Sequence, residues 1–243
     1  DYEHVLSRFR NDSLIAAIGK AEHGGSFDFP DWCAPLFDLY DALFSATSGA
    51  IDPCVGEDLI RLGYDASLSF TVTQDAPEHL GALRGRAVWG RDVTRHGTTL
   101  VTHEPVQLDF GACGKGYLVD LLGRMLQSSQ FVIDAGGDLL IHAEQPISVA
   151  LEDPEDQSHA IGIAHIANGA LCASAPSRRH WNVAVNERTQ IAIHHLLNAI
   201  DGLPAQQTEA SWAYVPANAT LNLARDYRSE EHTSELQSHT RIS

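Results

Sequence analysis

Apolar residues recur three or four positions apart in three stretches of this chain, the spacing that places side chains on one face of a helix. These stretches are residues 3–19, 35–46 and 114–127. The first pattern ends near Gly19 and the second ends before Ser48 and Gly49, which are typical helix-ending residues. A shorter pattern over 55–62 predicts a further helix. The sequence therefore predicts helices concentrated in its first half.

Short apolar runs separated by Gly, Asp, Asn and Pro make up most of the remaining chain and predict β-strands. Residues 65–108 alternate such runs with turn residues, as antiparallel strands do. Further strand-like runs are 131–134, 139–142, 147–151, 160–166, 169–173 and 210–215. Because helices and strands do not alternate regularly, the pattern favours an α+β fold with antiparallel sheets over a doubly wound parallel sheet.

The composition is that of a globular protein, with 243 residues, 44% of them apolar and 20% charged. No run of about 18 apolar residues is present, so the sequence predicts no transmembrane segment. Its 16 basic and 32 acidic residues give a net charge of −16, which argues against nucleic acid as a partner. The four cysteines form no CxxC pair, which argues against a zinc or redox motif.

Both ends of the chain suggest an incomplete protein. The first residue is Asp1, and a helical pattern is already present at His4, so a preceding targeting segment would not be seen. Localisation is therefore left open between the cytoplasm and the cell envelope. Residues 228–243 are similar to an in-frame translation of a sequencing-library adapter. We expect one domain over 1–227, incomplete at both ends, followed by an artefactual tail over 228–243.

The segment 108–120 reads LDFGACGKGYLVD. It combines the end of a predicted strand, three glycines at 111, 114 and 116 around Lys115, and the start of a predicted helix. The pattern predicts that the strand ends at Asp109 and that the helix begins close to Lys115. A helix N-terminus behind glycine-rich backbone offers unpaired N–H groups and a positive dipole end, which suit a phosphate. Its spacing matches neither the P-loop nor GxGxxG. From the residues alone, a phosphate site and a structural corner are both possible.

A second glycine-rich turn, Asp-Ala-Gly-Gly-Asp at 134–138, follows the predicted helix and ends another strand. A hairpin turn explains this sequence by itself. Two such turns separated by one helix would also form a shared rim around a ligand. The sequence is consistent with both arrangements.

These motifs, in this order, resemble those of the FAD:protein FMN transferases, the ApbE family. Residues 109–120 are similar to the family's D-L-G-G-x-x-K-G-Y-x-x-D stretch, and residues 134–138 to its N-x-G-G-D turn. Further similar blocks, in family order, are 7–13 (S-R-F-R-x-D-S), 48–53 (T-G-G-x-F-D-P), 151–154 (G-I-x-D-P), 174–179 (S-G-x-x-x-R) and 194–204 (H-H-L-I-D-P-x-T-G-x-P).

The resemblance implies a two-lobed α+β protein that binds FAD in a cleft between its lobes. With Mg²⁺, such a protein transfers FMN from FAD to a Thr or Ser hydroxyl of a target flavoprotein and releases AMP. The FAD-contact positions that the resemblance implies are Phe9, Ala50, Ile51, Asp52, Asp109, Lys115 and Leu197. His195 falls at the family's histidine, which would orient a phosphate or accept the proton of the target hydroxyl. The implied metal ligands are the carbonyl of Ala112 and the side chains of Asn222 and Asp226.

The sequence departs from the family pattern at several of these positions. Asn198 stands at the family's aspartate, and Asn222 and Asp226 stand where the family has a metal-binding Asp and Thr. The spacing of four residues is kept and both side chains offer oxygen ligands. These departures leave two alternatives to a flavin transferase: a non-catalytic FAD-binding protein of the same fold, and a hydrolase that cleaves FAD to FMN and AMP.

Overall fold

The protein folds into two units, described here from a computed structural model over residues 1–126, 130–176, 179–186, 189–205 and 208–217. The first unit consists of Asp1–Phe110 and Arg179–Ala205, and the second of Gly111–Arg178 with the chain from Gln206 onwards. Across these described ranges, none of the helices has both the length and the apolar character that crossing a bilayer requires.

The helices of the first unit lie in its N-terminal part. They are α1 (Tyr2–Leu6), α2 (Leu14–Lys20), α3 (Ala34–Ala46), α4 (Gly56–Arg61) and α5 (Ala76–His79), with 3-10 turns at Asp31–Cys33, Pro53–Val55 and Ala82–Arg84. The predictions over 35–46 and 55–62 are confirmed as α3 and α4. The single helix predicted over 3–19 is wrong, because the Ser13 hydroxyl accepts the N–H of Ala16 and caps a separate second helix.

The described strands of the first unit pair antiparallel. Strands β1 (Gly25–Asp28), β2 (Val93–His96) and β3 (Thr99–Thr102) form a sheet in the order β1-β3-β2. Near the C-terminal side, β7 (His180–Asn186) pairs with β8 (Thr189–His194), and β9 (Leu197–Asn198) pairs with β10 (Leu203–Pro204). The strands predicted over 65–108 are confirmed only for β2 and β3. Residues 65–75 form no strand, and the Asp65 carboxylate instead accepts the N–H of Ser67 and the hydroxyl of Ser69.

Aromatic rings form the core of the first unit around α3. Phe37 and Tyr40 are buried, and their ring centres lie 5.5 and 5.2 Å from that of Phe110. The Trp89 ring lies 6.2 Å from the same phenyl ring. Burying each ring contributes about 1.5–3 kcal/mol. Because Phe110 is anchored in this core, the position of the preceding residue, Asp109, is well determined.

The second unit is a four-stranded antiparallel sheet with one helix. Its strands β4 (Phe131–Asp134), β5 (Asp138–Glu152), β6 (Ala160–Ser174) and β11 (Ser211–Pro216) lie in the order β11-β6-β5-β4. The paired runs predicted within 139–151 and within 160–173 are continuous strands, and β5 contains a register shift between His142 and Ile147. The two units together give the α+β fold with antiparallel sheets that the sequence predicted.

Helix α6 (Gly111–Met125) begins earlier than the start predicted close to Lys115. Gly114 and Gly116 therefore lie inside the helix, although each glycine costs about 1 kcal/mol there relative to alanine. The buried apolar residues of this helix include Cys113, Tyr117 and Val119. Burial of this face offsets the cost of the glycines. The predicted boundary is wrong for that reason, and Lys115 lies in the second turn of α6.

Candidate functional site

Four of the segments singled out from the sequence are joined by hydrogen bonds in the first unit. The N–H of Asp109 donates to the carbonyl of Pro53 at 2.7 Å. The N–H of Ala199 donates to the carbonyl of Ala50 at 3.0 Å. The Asp109 carboxylate accepts a hydrogen bond from Nε of Arg8. Segments far apart in the chain are therefore neighbours in this unit.

Arg8 lies at the centre of this region, with its side chain 7% exposed. Besides the bond from Nε to Asp109, its Nη1 donates to the carbonyl of Tyr64 at 2.6 Å. The guanidinium carbon lies 4.2 Å from the centre of the Phe9 ring and 4.8 Å from that of the Tyr64 ring. A planar guanidinium held by two acceptors and in contact with two rings has little rotational freedom. It therefore fixes the orientation of the half-buried Asp109 carboxylate.

Phe9 presents an exposed aromatic ring beside this guanidinium. Its side chain is 41% exposed, and its ring contacts that of Tyr64 edge to face at 5.4 Å. An accessible aromatic face suits stacking against a planar heteroaromatic group. Phe9 and Asp109, both implied FAD contacts, thus lie on two sides of Arg8.

The turn at 48–53 holds three further implied FAD contacts, all of them buried: Ala50, Ile51 and Asp52. The Asp52 carboxylate accepts the N–H of Cys54 at 2.8 Å and that of Trp89 at 3.3 Å. It also lies 3.4 Å from Nη1 of Arg86. The side chain of Asp52 therefore supports the turn from inside the unit. Any contact that this residue makes with a ligand would come from its backbone.

A buried ion network that the sequence did not reveal continues from this turn. Nε of Arg86 lies 2.8 Å from a carboxylate oxygen of Asp58, and both side chains are fully buried. The same guanidinium donates to the carbonyl of Ala199 at 2.7 Å. Burial raises the pKa of Asp58 to about 6, and Arg86 opposes this effect. Since two carboxylates, Asp52 and Asp58, share one guanidinium, the network carries a negative charge when both are ionised.

The adjacent histidines His194 and His195 have different surroundings. Nε2 of the buried His194 lies 2.8 Å from the carbonyl of Ala205, and its Nδ1 accepts the N–H of Leu196 at 3.3 Å. Since a carbonyl only accepts, these contacts assign the proton to Nε2. Burial also lowers the pKa of His194 and favours the neutral ring. His195 is half-buried, with Nδ1 3.3 Å from the carbonyl of Arg179.

Direct contacts connect His195 to Asp109 within the first unit. Nη1 of Arg179 donates to the Tyr64 hydroxyl, and its guanidinium carbon lies 5.9 Å from the Tyr64 ring centre. The series of contacts runs from His195 through Arg179, Tyr64 and Arg8 to Asp109. The implied catalytic residue and two implied FAD contacts therefore belong to one cluster. The half-buried Leu197 packs against the core that contains Tyr64.

In the second unit, Lys115 joins the two glycine-rich motifs. Its Nζ lies 2.8 Å from the carbonyl of Gly136 and 3.1 Å from a carboxylate oxygen of the fully buried Asp138. Gly136 and Gly137 have φ of 67° and 102°, which favour glycine in this turn. The Lys115 side chain is 32% exposed. A positive charge held at this turn is thus accessible from solvent.

Of the implied metal ligands, only Ala112 belongs to the described residues, and it lies in the first turn of α6. Asn222 and Asp226 lie outside the described residues, as does the adapter-like segment 228–243. Within the described ranges, no group of three or more His, Cys, Asp or Glu side chains is placed to hold a metal ion. Magnesium prefers oxygen ligands, and the Ala112 carbonyl offers one such oxygen.

Comparison with known proteins identifies the family, because the ApbE family model matches residues 1–222. The chain belongs to the ApbE family. Among curated relatives of this ApbE protein, the FAD:protein FMN transferase of Treponema pallidum (strain Nichols) is 26% identical over 234 residues. The match covers 84% of this chain and 60% of that relative, so the chain spans less than two thirds of the relative's length.

Solved structures of ApbE proteins have the same fold. The ApbE protein of Thermotoga maritima aligns with a TM-score of 0.76 at 18% identity, covering 96% of this chain and 75% of that one. A single-residue variant of the flavin transferase ApbE of Vibrio cholerae aligns with a TM-score of 0.75 at 18% identity, covering 99% and 76%. These similarities confirm the α+β ApbE-like fold expected from the sequence.

Proposed function

We propose that this ApbE protein transfers FMN from FAD to a Thr or Ser hydroxyl of an acceptor flavoprotein and releases AMP. The observation that carries the proposal is the family match over residues 1–222. The contacts of the first unit support it, since His195, Phe9 and Asp109 belong to one cluster. A ring for stacking, a carboxylate and an imidazole are the groups that binding and activating a nucleotide substrate require.

FAD binding is assigned to groups of three chemical types. The exposed Phe9 ring offers a stacking face for a planar ring of FAD. The Asp109 carboxylate accepts hydrogen bonds, and the Lys115 ammonium of the second unit attracts the anionic pyrophosphate. Further contacts are proposed at the 48–53 turn, through its backbone, and at Leu197.

The proposed reaction is a displacement at phosphorus. The acceptor hydroxyl oxygen attacks the phosphorus on the FMN side of the pyrophosphate, and the bond from that phosphorus to the bridging oxygen breaks. AMP leaves with the bridging oxygen, and the hydroxyl proton is transferred to a base. We assign this base to His195, whose imidazole is half-buried. His194 is unsuited, because both of its ring nitrogens are bonded in the interior.

The proposal includes a requirement for Mg²⁺, which would neutralise the charge that develops on the pyrophosphate oxygens. The Ala112 carbonyl is the candidate ligand among the described residues. The requirement for Mg²⁺ rests on the family resemblance.

Incubation of the protein with FAD, MgCl₂ and a purified acceptor domain tests the proposed function. The acceptor is expected to gain one covalently bound FMN, seen by in-gel flavin fluorescence and intact mass, with an equal amount of AMP released. An acceptor variant with its target hydroxyl residue replaced by Ala is the control and should stay unlabelled. Release of FMN and AMP without labelling would identify a hydrolase instead. FAD binding without AMP release would identify a non-catalytic binding protein.

A further inference from the structure

Burial of the Arg8 guanidinium is energetically unfavourable at one of its nitrogens. Its Nη2 nitrogen is buried and finds no hydrogen-bond acceptor among the residues that the structure describes. Leaving a buried donor unsatisfied is unfavourable, and contact with the Phe9 and Tyr64 rings offsets only part of this. A stability gain alone therefore accounts poorly for an arginine at this position.

The two groups that Arg8 orients are the implied FAD contacts Asp109 and Phe9. Its Nε bond holds one oxygen of the Asp109 carboxylate, and its planar face lies against the exposed Phe9 ring. The third contact, from Nη1 to the Tyr64 carbonyl, anchors the guanidinium to the first-unit core. The Arg8 charge also compensates the Asp109 carboxylate, which would otherwise repel an anionic pyrophosphate.

We infer that Arg8 is a positioning residue for FAD, which holds the Asp109 carboxylate and the Phe9 ring in their binding orientation. This inference rests on the proposed function. Arg8 acts through these two neighbours and itself stays buried, so the part of its effect that acts through Asp109 is lost when that carboxylate is removed. Arg8 and Asp109 are therefore energetically coupled in FAD binding.

Arg95 provides a matched control within the same unit. Its guanidinium bonds to Asp38 at 2.6 Å and to Asp41, and its guanidinium carbon lies 5.6 Å from the Phe37 ring centre. It therefore makes the same kinds of contact as Arg8, a carboxylate and an aromatic ring. None of its partners is an implied site residue. Replacement of Arg95 thus measures how much the loss of a purely structural ion pair changes FAD affinity.

The test measures FAD affinity by titration calorimetry on the full 243-residue chain. Arg8→Met and Asp109→Asn are each expected to weaken FAD binding by about tenfold or more. The double variant is expected to lose clearly less affinity than the product of the two single losses, because the two residues are coupled. Arg8→Lys should recover part of the loss, because an ammonium can pair with Asp109 but lacks the planar fork. Arg95→Met should stay within about twofold of the unchanged chain.

Several results would overturn the inference. These are unchanged affinity in Arg8→Met, losses that multiply in the double variant, or an equal loss in Arg95→Met. If Arg8→Met does not fold, Arg8→Lys and Asp109→Asn decide: unchanged affinity in either refutes the inference, and a loss in both supports it. FAD binding and acceptor labelling by the unchanged chain would leave the proposed function intact in each of these cases. Absence of FAD binding by the unchanged chain would refute both.

Discussion

The carboxylate of Asp109 accepts a hydrogen bond from the guanidinium of Arg8, 101 positions earlier in the chain. The same aspartate donates its N–H to the Pro53 carbonyl, and the ring of the next residue, Phe110, is buried among aromatic side chains. Asp109 is thus held by its side chain, its backbone and its neighbour. Three contacts of this kind give a binding carboxylate a defined position before any ligand arrives, which lowers the entropic cost of binding.

Replacement of Lys115 is expected to weaken FAD binding. Lys115→Ala should cost about 1–3 kcal/mol of binding free energy, because a charged hydrogen-bond donor is lost. Titration calorimetry measures the change. Lys20→Ala is the control, since Lys20 is the other lysine of the sequence and its Nζ donates to the Asn11 carbonyl at 2.7 Å. Equal affinities for the two variants would remove Lys115 from the binding site.

Replacement of each of the two adjacent histidines should affect a different property, stability for His194 and labelling rate for His195. His194→Ala should lower the free energy of unfolding by about 1–3 kcal/mol, because a buried ring with two hydrogen bonds is lost. His195→Ala should leave stability nearly unchanged and slow acceptor labelling by about 100-fold or more, as expected for loss of a general base. Urea denaturation and labelling rates measure the two effects. A His195→Ala variant that labels at the original rate would exclude its role as the base.

Removal of divalent cations should abolish FMN transfer. A hard cation would neutralise the pyrophosphate oxygens as the bond to AMP breaks. Excess EDTA should eliminate fluorescence of the acceptor band, and excess MgCl₂ should restore it. The control is FAD affinity measured with and without EDTA, which separates loss of binding from loss of transfer. Undiminished labelling in EDTA would contradict the magnesium proposal.

The buried Asp58 should make stability depend on pH. Its pKa is raised to about 6 in the folded protein by burial, so between about pH 4 and pH 6 the folded state binds more protons than the unfolded state. The free energy of unfolding should therefore decrease as pH rises through this range, by up to about 3 kcal/mol. The Asp58→Asn variant has no titrating group at this position, so its free energy of unfolding should decrease less over the same pH range.

Urea midpoints between about pH 4 and pH 7 measure this dependence. His194 acts in the opposite sense, because its lowered pKa favours the folded state as pH rises. That contribution is present in both proteins and cancels in the comparison. Parallel pH curves for the two proteins would show that Asp58 does not carry the effect.

Features that depend on local pattern were predicted from the sequence. Helix α3 follows its apolar spacing, and the turn around Gly136 follows from residues that tolerate positive φ. The strands around that turn were predicted from their apolar runs, although their continuity across the register shift in β5 was not. The ApbE family resemblance was also visible, because its motifs are short and contiguous. Neighbouring residues alone encode these features.

Contacts across long separations were decided only by the tertiary structure. The sequence placed Asp52 among ligand contacts, and its carboxylate lies in the interior because Arg86, many residues later, pairs with it. The resemblance singled out His195, but the different surroundings of His194 and His195 were decided by packing. The early start of α6 depends on burial of one helix face, which outweighs the low helix propensity of its glycines. In each case the stabilising contacts join residues that become neighbours only after folding, so the local sequence pattern does not predict them.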